Sequence, residues 1–339
     1  MSKKALILIV SLPFLSFLLG ASTELEAEVQ AGPSGVIERE QSFKQWLIEF
    51  KTIALEQGIS EETFEKAFRK IKNHNERVIE LDRSQPEVKL TFEQYLSRVV
   101  TKGRIAKGRR ELRNKSKLIN SAAKKYAVPS HYLVALWGME TDFGRLTGGF
   151  NAIEALATLA YEGRRSEFFT KELLHALKIL DEGHTTPRKM KGSWAGALGQ
   201  MQFMPSTFQR FAVDATGDNK KDIWNNLEDA LASAANYLTT IGWKRDESWG
   251  REVKVPAGLA EELIGLNTQK KLTDWSALGV TRLDGAALPT GDLDASLIQL
   301  DGPEGRHFLV YNNFRMLMDW NRSEKYATAV GILADAIKR

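Results

Sequence analysis

Apolar side chains recur at helical spacing through most of this 339-residue chain, and that period restricts it to packed helices. Residues 42–127 are helical in pattern, with Phe43, Trp46, Leu47 and Phe50 falling on one face. Ser60 is placed to cap a helix whose first turn holds Glu61 and Glu62, where carboxylates meet the positive helix end. Thr63 stands three residues after Ser60, so no full capping box is expected. A long helical stretch runs from Thr91 past Leu118, and Val128-Pro129-Ser130 opens another helix with proline in its first turn. Further helices are expected at 152–160, 167–180, 205–213 and 227–241. Between 250 and 310 Gly, Pro, Thr and Val rise, and 251–255 and 307–311 read as strands. Helical pattern returns from Phe314. The expectation is a mainly α protein of the α+β class. It has an N-terminal helical domain at 36–127, a core made of 128–249 with 311–339, and a small β-rich insertion at 250–310.

The N-terminus reads as an export signal. Lys3 and Lys4 precede an apolar run at 5–19 broken by Pro13, followed by Gly20, Ala21 and Ser22. The run is shorter than the roughly 20 residues of a membrane span. Cleavage after Ala21 or Ala31 fits, with an uncleaved anchor as the alternative; residues 1–31 are assigned to signal and lead-in, and Gly-Pro-Ser-Gly at 32–35 to a flexible connection. The chain has no cysteine, which excludes disulfides, thiolate catalysis, cysteine zinc sites and a lipid anchor on an N-terminal cysteine. The mature protein is expected to work outside the cytoplasm, with no stable membrane anchor and as a monomer. The net charge of +4 is too small to name a nucleic-acid partner, and an anionic polymer fits it equally. Lys102, Arg104, Lys107, Arg109, Arg110, Arg113, Lys115 and Lys117 form either a solvated helix face or a track for an anionic strand. His74, His131, His175, His184 and His307 show no metal-ligand spacing.

The sharpest local signal is YLVALWGMETDFGR at 132–145. Leu133, Leu136, Trp137 and Glu140 share one helix face, and Glu140 is its one charged member. An ionised carboxylate on an apolar face is costly, so its pKa rises, and a Glu protonated near neutral pH can donate to a leaving glycosidic oxygen. Gly144 is expected to end the helix and leave Glu140 near its open end. Spacing alone leaves a second reading open, a Glu at the helix end that faces water or pairs with Arg145. Asp142 falls about 200° around the helix from Glu140, on another face. Common glycosidases need two carboxylates, and no second one stands among the motif residues, which favours a one-acid mechanism.

A second signal is GSWAGALGQMQFMPS at 192–206, small and apolar residues without charge. Ser193, Gln200 and Gln202 are its neutral hydrogen-bonding side chains. It suits either a close-packed wall against a sugar, read by amides, or a buried turn before a helix near Pro205.

Taken together, QPEVKLTFEQYL, ALWGMETDFGR, GSWAGALGQMQFMPSTFQRFAVDATGD, DIWNNLEDALASAANYL and WNRSEKYATAV resemble the lytic murein transglycosylase B family. The resemblance covers the chain from about residue 85 to its end. It implies a lysozyme-like helical core and peptidoglycan glycan strands as partner. It also implies cleavage between N-acetylmuramic acid and N-acetylglucosamine with a 1,6-anhydro product. By position Glu140 matches the catalytic acid, which later acts as base. Ser193 and Gln202 match residues near the reacting sugar, and Tyr237, Asn321 and Tyr326 match further cleft positions. Trp320 stands where relatives can have tyrosine, and Tyr95 matches within FEQYL. A muramidase that adds water and a non-catalytic murein-binding protein are the alternatives.

Asp214, Thr216, Asp218, Lys220 and Asp222 alternate like the oxygen ligands of a calcium loop. Asn219 stands at its usual Gly position, Lys220 offers only its carbonyl, and Asn225 replaces the closing Glu, so Glu228 or Asp229 would have to serve. A structural calcium ion or a metal-free Asx-rich turn is expected; no cofactor is required for Glu140 chemistry.

Overall fold

The computed structural model describes residues 42–84 and 90–339. The expected export signal, the 32–35 connection and QPEVK at the start of the first family motif lie outside them. Three short helices come first, α1 (Phe43–Glu56), α2 (Glu61–Phe68) and α3 (Glu76–Arg83). Ser42, Ser60 and Asn75 cap them by accepting backbone N–H groups. The stretch read as one long helix from Thr91 is three: α4 (Phe92–Val99), α5 (Lys102–Asn114) and α6 (Ser116–Lys125). Thr101 explains the first break, because its side-chain oxygen takes the Arg104 N–H three residues on and starts a new helix, as Thr91 does for α4. Thr91 and Gln94 complete a capping box.

Next is α7 (Ser130–Thr141), with Pro129 as its N-cap residue, one place earlier than its sequence suggested. Every residue from 132 to 141 is buried, so the apolar face read in the sequence is only part of a helix covered all round. It is enclosed by α5, α6, α11 (Leu227–Thr240) and α14 (Glu324–Lys338). Strand β1 (Phe150–Asn151) pairs antiparallel with β2 (Lys191–Gly192), and between them run α8 (Ala152–Glu162) and α9 (Ser166–Asp181). α2 and α3 lean on α8 and α9, with α10 (Pro205–Phe211) also against α9.

After α11 the chain leaves the helices. β3 (Gly250–Lys254), β4 (Lys270–Lys271), β5 (Thr281–Arg282), β6 (Asp294–Leu300) and β7 (Arg306–Val310) form an antiparallel sheet in the order β4-β6-β7-β3-β5. α12 (Leu272–Ala277) closes one face, and Trp275, Leu297, Leu309 and Tyr311 form a small core there. The other face, with Ile298, Leu300, Phe308 and Val310, joins the main helical core. α13 (Asn312–Trp320) and α14 then return to that core, α14 lying along α7. This return places residues 320–326 beside residue 140. No described helix is long and apolar enough to cross a membrane.

Candidate active site

α7 stops at Thr141, three residues before the glycine expected to stop it. Asp142, Phe143 and Gly144 all take left-handed backbone angles, with φ of 49°, 59° and 77°. Thr141 holds the turn: its Oγ1 accepts from Gly144 N at 3.0 Å and donates to the Gln200 carbonyl at 2.8 Å. Asp142 receives Lys107 Nζ at 3.2 Å and Arg145 Nε at 2.6 Å. Arg145 therefore belongs to Asp142, and the pairing of Glu140 with Arg145 is not formed.

Glu140 is 3% exposed. Its Oε1 accepts from the Tyr326 hydroxyl and, at 2.8 Å, from Trp320 Nε1; its buried Oε2 has no partner. Burial pushes this carboxyl up from 4.5 to about 7, and the two hydrogen bonds from Tyr326 and Trp320 act the other way. The other buried acids differ. Asp82 pairs with Arg164 and Arg165, Glu172 takes both the N–H and the hydroxyl of Ser206, and Asp229 takes the N–H groups of Ala215 and Asp222. Of the four, Glu140 alone has an unsatisfied oxygen, and neither a cation nor a backbone N–H serves it. A buried carboxyl with an unsatisfied oxygen and a strongly raised pKa is a candidate functional group.

Around it, Trp320 stands against Tyr237 (ring centroids 5.0 Å, 74°) and Phe203 (5.4 Å). The Tyr237 hydroxyl is committed to the Asp319 carbonyl at 2.9 Å, so this side chain holds the Trp320 ring. The Tyr95 phenol is pushed well above its usual range by burial and, secondarily, by the Glu140 charge. Asn321 is buried with its Oδ1 unpartnered. Tyr95, Tyr237, Trp320, Asn321 and Tyr326 thus come from three separate stretches of chain to one neighbourhood. Phe203 belongs with them and was missed in the sequence, where it reads as one more apolar residue of the GQMQFMPS run.

The 192–206 segment is tied to the end of α7 by Gln200, whose Oε1 accepts from Trp137 Nε1 at 3.0 Å and whose Nε2 donates to the Trp224 carbonyl at 3.3 Å. Gln200 is therefore a structural amide, not a reader of ligand. Gln202 has φ of 51° and donates to the carbonyls of Gly199 and Thr147, while its Oε1 accepts nothing among the described residues. Ser193 Oγ accepts from Ala195 N at 3.3 Å and Ala197 N at 3.0 Å, which shapes the turn. Gly148, at φ of 90°, lies where a Cβ would sit 2.1 Å from the Gly192 carbonyl oxygen, so the wall rests directly on backbone.

A transglycosylase SLT domain model matches residues 42–335, nearly all of the described chain. The chain belongs to the SLT transglycosylase family. It is 36% identical over 224 residues to the membrane-bound lytic murein transglycosylase B of Escherichia coli (strain K12), which covers 65% of this chain and 60% of that protein. The chain therefore aligns with about three fifths of that relative's length. SltB3 from Pseudomonas aeruginosa, in a structure with NAG-anhNAM-pentapeptide, superposes with a TM-score of 0.85 at 44% identity over 88% of this chain and 80% of that one. The Escherichia coli lytic transglycosylase Slt35, in complex with calcium, gives 0.73 at 29% identity over 86% and 92%. The mainly helical, lysozyme-like fold expected from the motifs is thus the fold of these SLT relatives.

The 214–229 loop is the one whose alternating oxygens pointed to calcium in the sequence. Here Asp214 Oδ1 accepts from the N–H groups of Thr216, Gly217 and Asp218, and Oδ2 from that of Asn219. Asp218 takes Lys220 N, and Asp229 is buried between Ala215 N and Asp222 N. Asn219 has the left-handed φ of 64° expected at the glycine position. Among the described residues no three acidic or histidine side chains converge to hold an ion. In this conformation the carboxylates of Asp214, Asp218 and Asp229 accept backbone N–H groups, the hydrogen bonding of an Asx-rich turn, with Thr216 and the Lys220 carbonyl in the same loop. The basic stretch is likewise no continuous track: Arg104, Lys107 and Arg109 donate inward to Val99, Asp142 and Ala336, leaving Lys102, Arg110, Arg113 and Lys117 exposed.

Proposed function

We propose that this chain is a peptidoglycan lytic transglycosylase in which Glu140 acts first as acid and then as base. The observation that carries the reading is the Glu140 carboxyl, buried, raised to about 7, and left with one oxygen unpartnered. Protonated, it gives its hydrogen to the glycosidic oxygen between N-acetylmuramic acid and N-acetylglucosamine as the C1–O bond breaks. The substrate's own acetamido oxygen supports the positive C1, which removes the need for a second protein carboxylate. Among the described residues no second carboxylate is hydrogen-bonded to Glu140, Tyr326 or Trp320. The ionised Glu140 then takes the proton of the muramyl 6-hydroxyl while O6 closes on C1, giving the 1,6-anhydro end. Tyr326 and Trp320 hold Oε1 and steady the charge between the two steps. The wall at Ser193 and Gln202, with Asn321 and Tyr95, lines the sugar site, and the aromatic packing there keeps water from competing.

In this reading 128–249 with 311–339 is the catalytic body, 250–310 the β-rich insertion and 36–127 the N-terminal helical part. The protein works in the periplasm on glycan strands, as a monomer. The test is digestion of purified murein sacculi by the parent and by Glu140→Gln, with mass spectrometry of the products. Anhydro ends from the parent and none from the variant support the reading. Reducing ends make it a muramidase, and equal digestion by both proteins overturns the role of Glu140.

A further inference from the structure

Two helices that reach the Glu140 site are joined from outside it by one side chain of the sheet. Asp301 sits in the turn between β6 and β7 and is exposed at its backbone, with φ of 68°. Aspartate is among the few non-glycine residues that enter this left-handed region readily, which suits it to a tight turn. Its Oδ2 accepts the N–H of Phe92, the first residue of α4, and its Oδ1 faces Lys325 Nζ at 3.0 Å. Lys325 Nζ also donates to the Leu90 carbonyl at 2.6 Å. One residue further along α14 is Tyr326, which donates to Glu140; three residues along α4 is Tyr95, which feels the Glu140 charge. The stem of the same hairpin grips α4 a second time. Arg306 reaches Glu93 at 2.9 Å while both its other donors hold Glu252, and Phe308 stands edge-on to Phe92 at 5.9 Å.

We infer that Asp301 is a positioning residue, and that the β6–β7 turn sets the separation of α4 and α14 and so the aim of Tyr326 at Glu140. A carboxylate suits the task. It accepts an orphan N–H at the start of α4, where the helix end favours negative charge, and it pairs with the lysine beside Tyr326. Neither contact involves substrate, so the effect passes through the phenol–carboxylate hydrogen bond. The inference rests on the role proposed for Glu140.

The experiment compares Asp301→Ala, Asp301→Asn and Lys325→Met with the parent in murein digestion across pH, alongside thermal unfolding of each. Asp284→Ala, at another exposed turn of the sheet, serves as control. Asp301→Ala is expected to lower kcat about 10- to 100-fold, with KM little changed, as a small misplacement in an active site does. Loosening the Tyr326 hydrogen bond raises the Glu140 pKa, so the alkaline limb of the pH profile moves to higher pH. Asp301→Asn keeps an acceptor for Phe92 and is expected to fall between Ala and parent. Lys325→Met should match it, and the two changes combined should cost less than their product. Full kcat and an unmoved limb in Asp301→Ala overturn the inference, as does a loss explained entirely by unfolding. Glu140→Gln, run alongside, separates the two claims: if it is inactive while Asp301→Ala behaves as parent, the brace alone fails, and if it cuts, the Glu140 assignment fails.

Discussion

Glu140 and Tyr326 meet through a single oxygen: the phenol donates to Oε1, which Trp320 also serves, while Oε2 of the same carboxyl is buried without a partner. This asymmetry divides the labour of one acid. In the proposed mechanism the anchored oxygen fixes the group in place, and the bare oxygen is the one that carries the proton. A carboxyl held at both oxygens, as Glu172 is by Ser206, has no atom left for chemistry.

Removing the phenol hydroxyl tests the anchor. The Tyr326 hydrogen bond favours the ionised form of Glu140, so Tyr326→Phe raises the carboxyl above about 7. The acid form then persists to higher pH, and the alkaline limb of the rate profile shifts upward. The base form, which in the proposed mechanism closes the anhydro ring, loses a donor, and kcat is expected to fall about 10- to 100-fold. Initial rates of muropeptide release across pH measure both effects. A lowered rate with an unmoved limb refutes the coupling.

Glu140 also imposes a pH dependence on stability. Its folded pKa of about 7 lies above the ordinary 4.5, so the folded state holds the proton more tightly than the unfolded chain. The resulting stability is present below pH 4.5 and is lost as pH rises through 7. A shift from 4.5 to about 7 corresponds to about 3 kcal/mol at 1.36 kcal/mol per pH unit. Glu140→Gln has no charge to bury, and should equal the parent in urea unfolding at pH 4 and exceed it at pH 8. Equal stability of the two proteins at pH 8 is the contrary result.

How much of this was legible in sequence depended on how local the physics was. The N-cap at Ser60 and the odd charge at Glu140 needed only neighbours in the chain. The break between α4 and α5 also rested on a local cap, Thr101, but a threonine inside a helical period does not announce which backbone N–H it will take, and the break at Lys115 has no side-chain cap at all. The partners of Glu140 are 180 and 186 residues away and were reachable only through the family resemblance. Gln200 and Gln202, two residues apart and of identical chemistry, were inseparable in the sequence. Only the fold turns the first onto Trp137 and Trp224 and leaves an oxygen of the second without a partner. Asp301 carried no signal at all, since its partners lie 209 residues upstream and on the last helix.

Gly148 supports the wall of the site by the absence of a side chain. A Cβ there would lie 2.1 Å from Gly192 O and 2.7 Å from Ser193 N, on a backbone at φ of 90°. Gly148→Ala is expected to cost about 3 kcal/mol, combining left-handed strain with a clash that only main chain can relieve. The displaced backbone includes Ser193 N, so on the proposed reading activity per folded molecule is expected to fall as well. Gly149→Ala meets nothing within 4 Å and is the neutral comparison. Chemical denaturation and murein digestion of the pair measure it, and a Gly148→Ala protein as stable as Gly149→Ala overturns the argument.

The Asp214 loop is held by its own backbone. Four N–H groups converge on one carboxylate: burial alone would raise its pKa, but the donors from Gly217, Asn219, Asp218 and Thr216 outweigh that and hold it below the ordinary value. At the position where a calcium loop closes with a bidentate Glu, Asn225 instead donates its N–H to Asp222 at 2.9 Å. The thermal midpoint is therefore expected to be the same with calcium and with a chelator. Asp214→Ala should lower that midpoint equally in both buffers, because what it removes is a set of Asx-type hydrogen bonds. Asp214→Asn keeps an acceptor and should lose less. A midpoint that rises with calcium in the parent, and does so no longer in Asp214→Ala, would mean that the loop rearranges around an ion and that the inward-facing donor set is only one of its states.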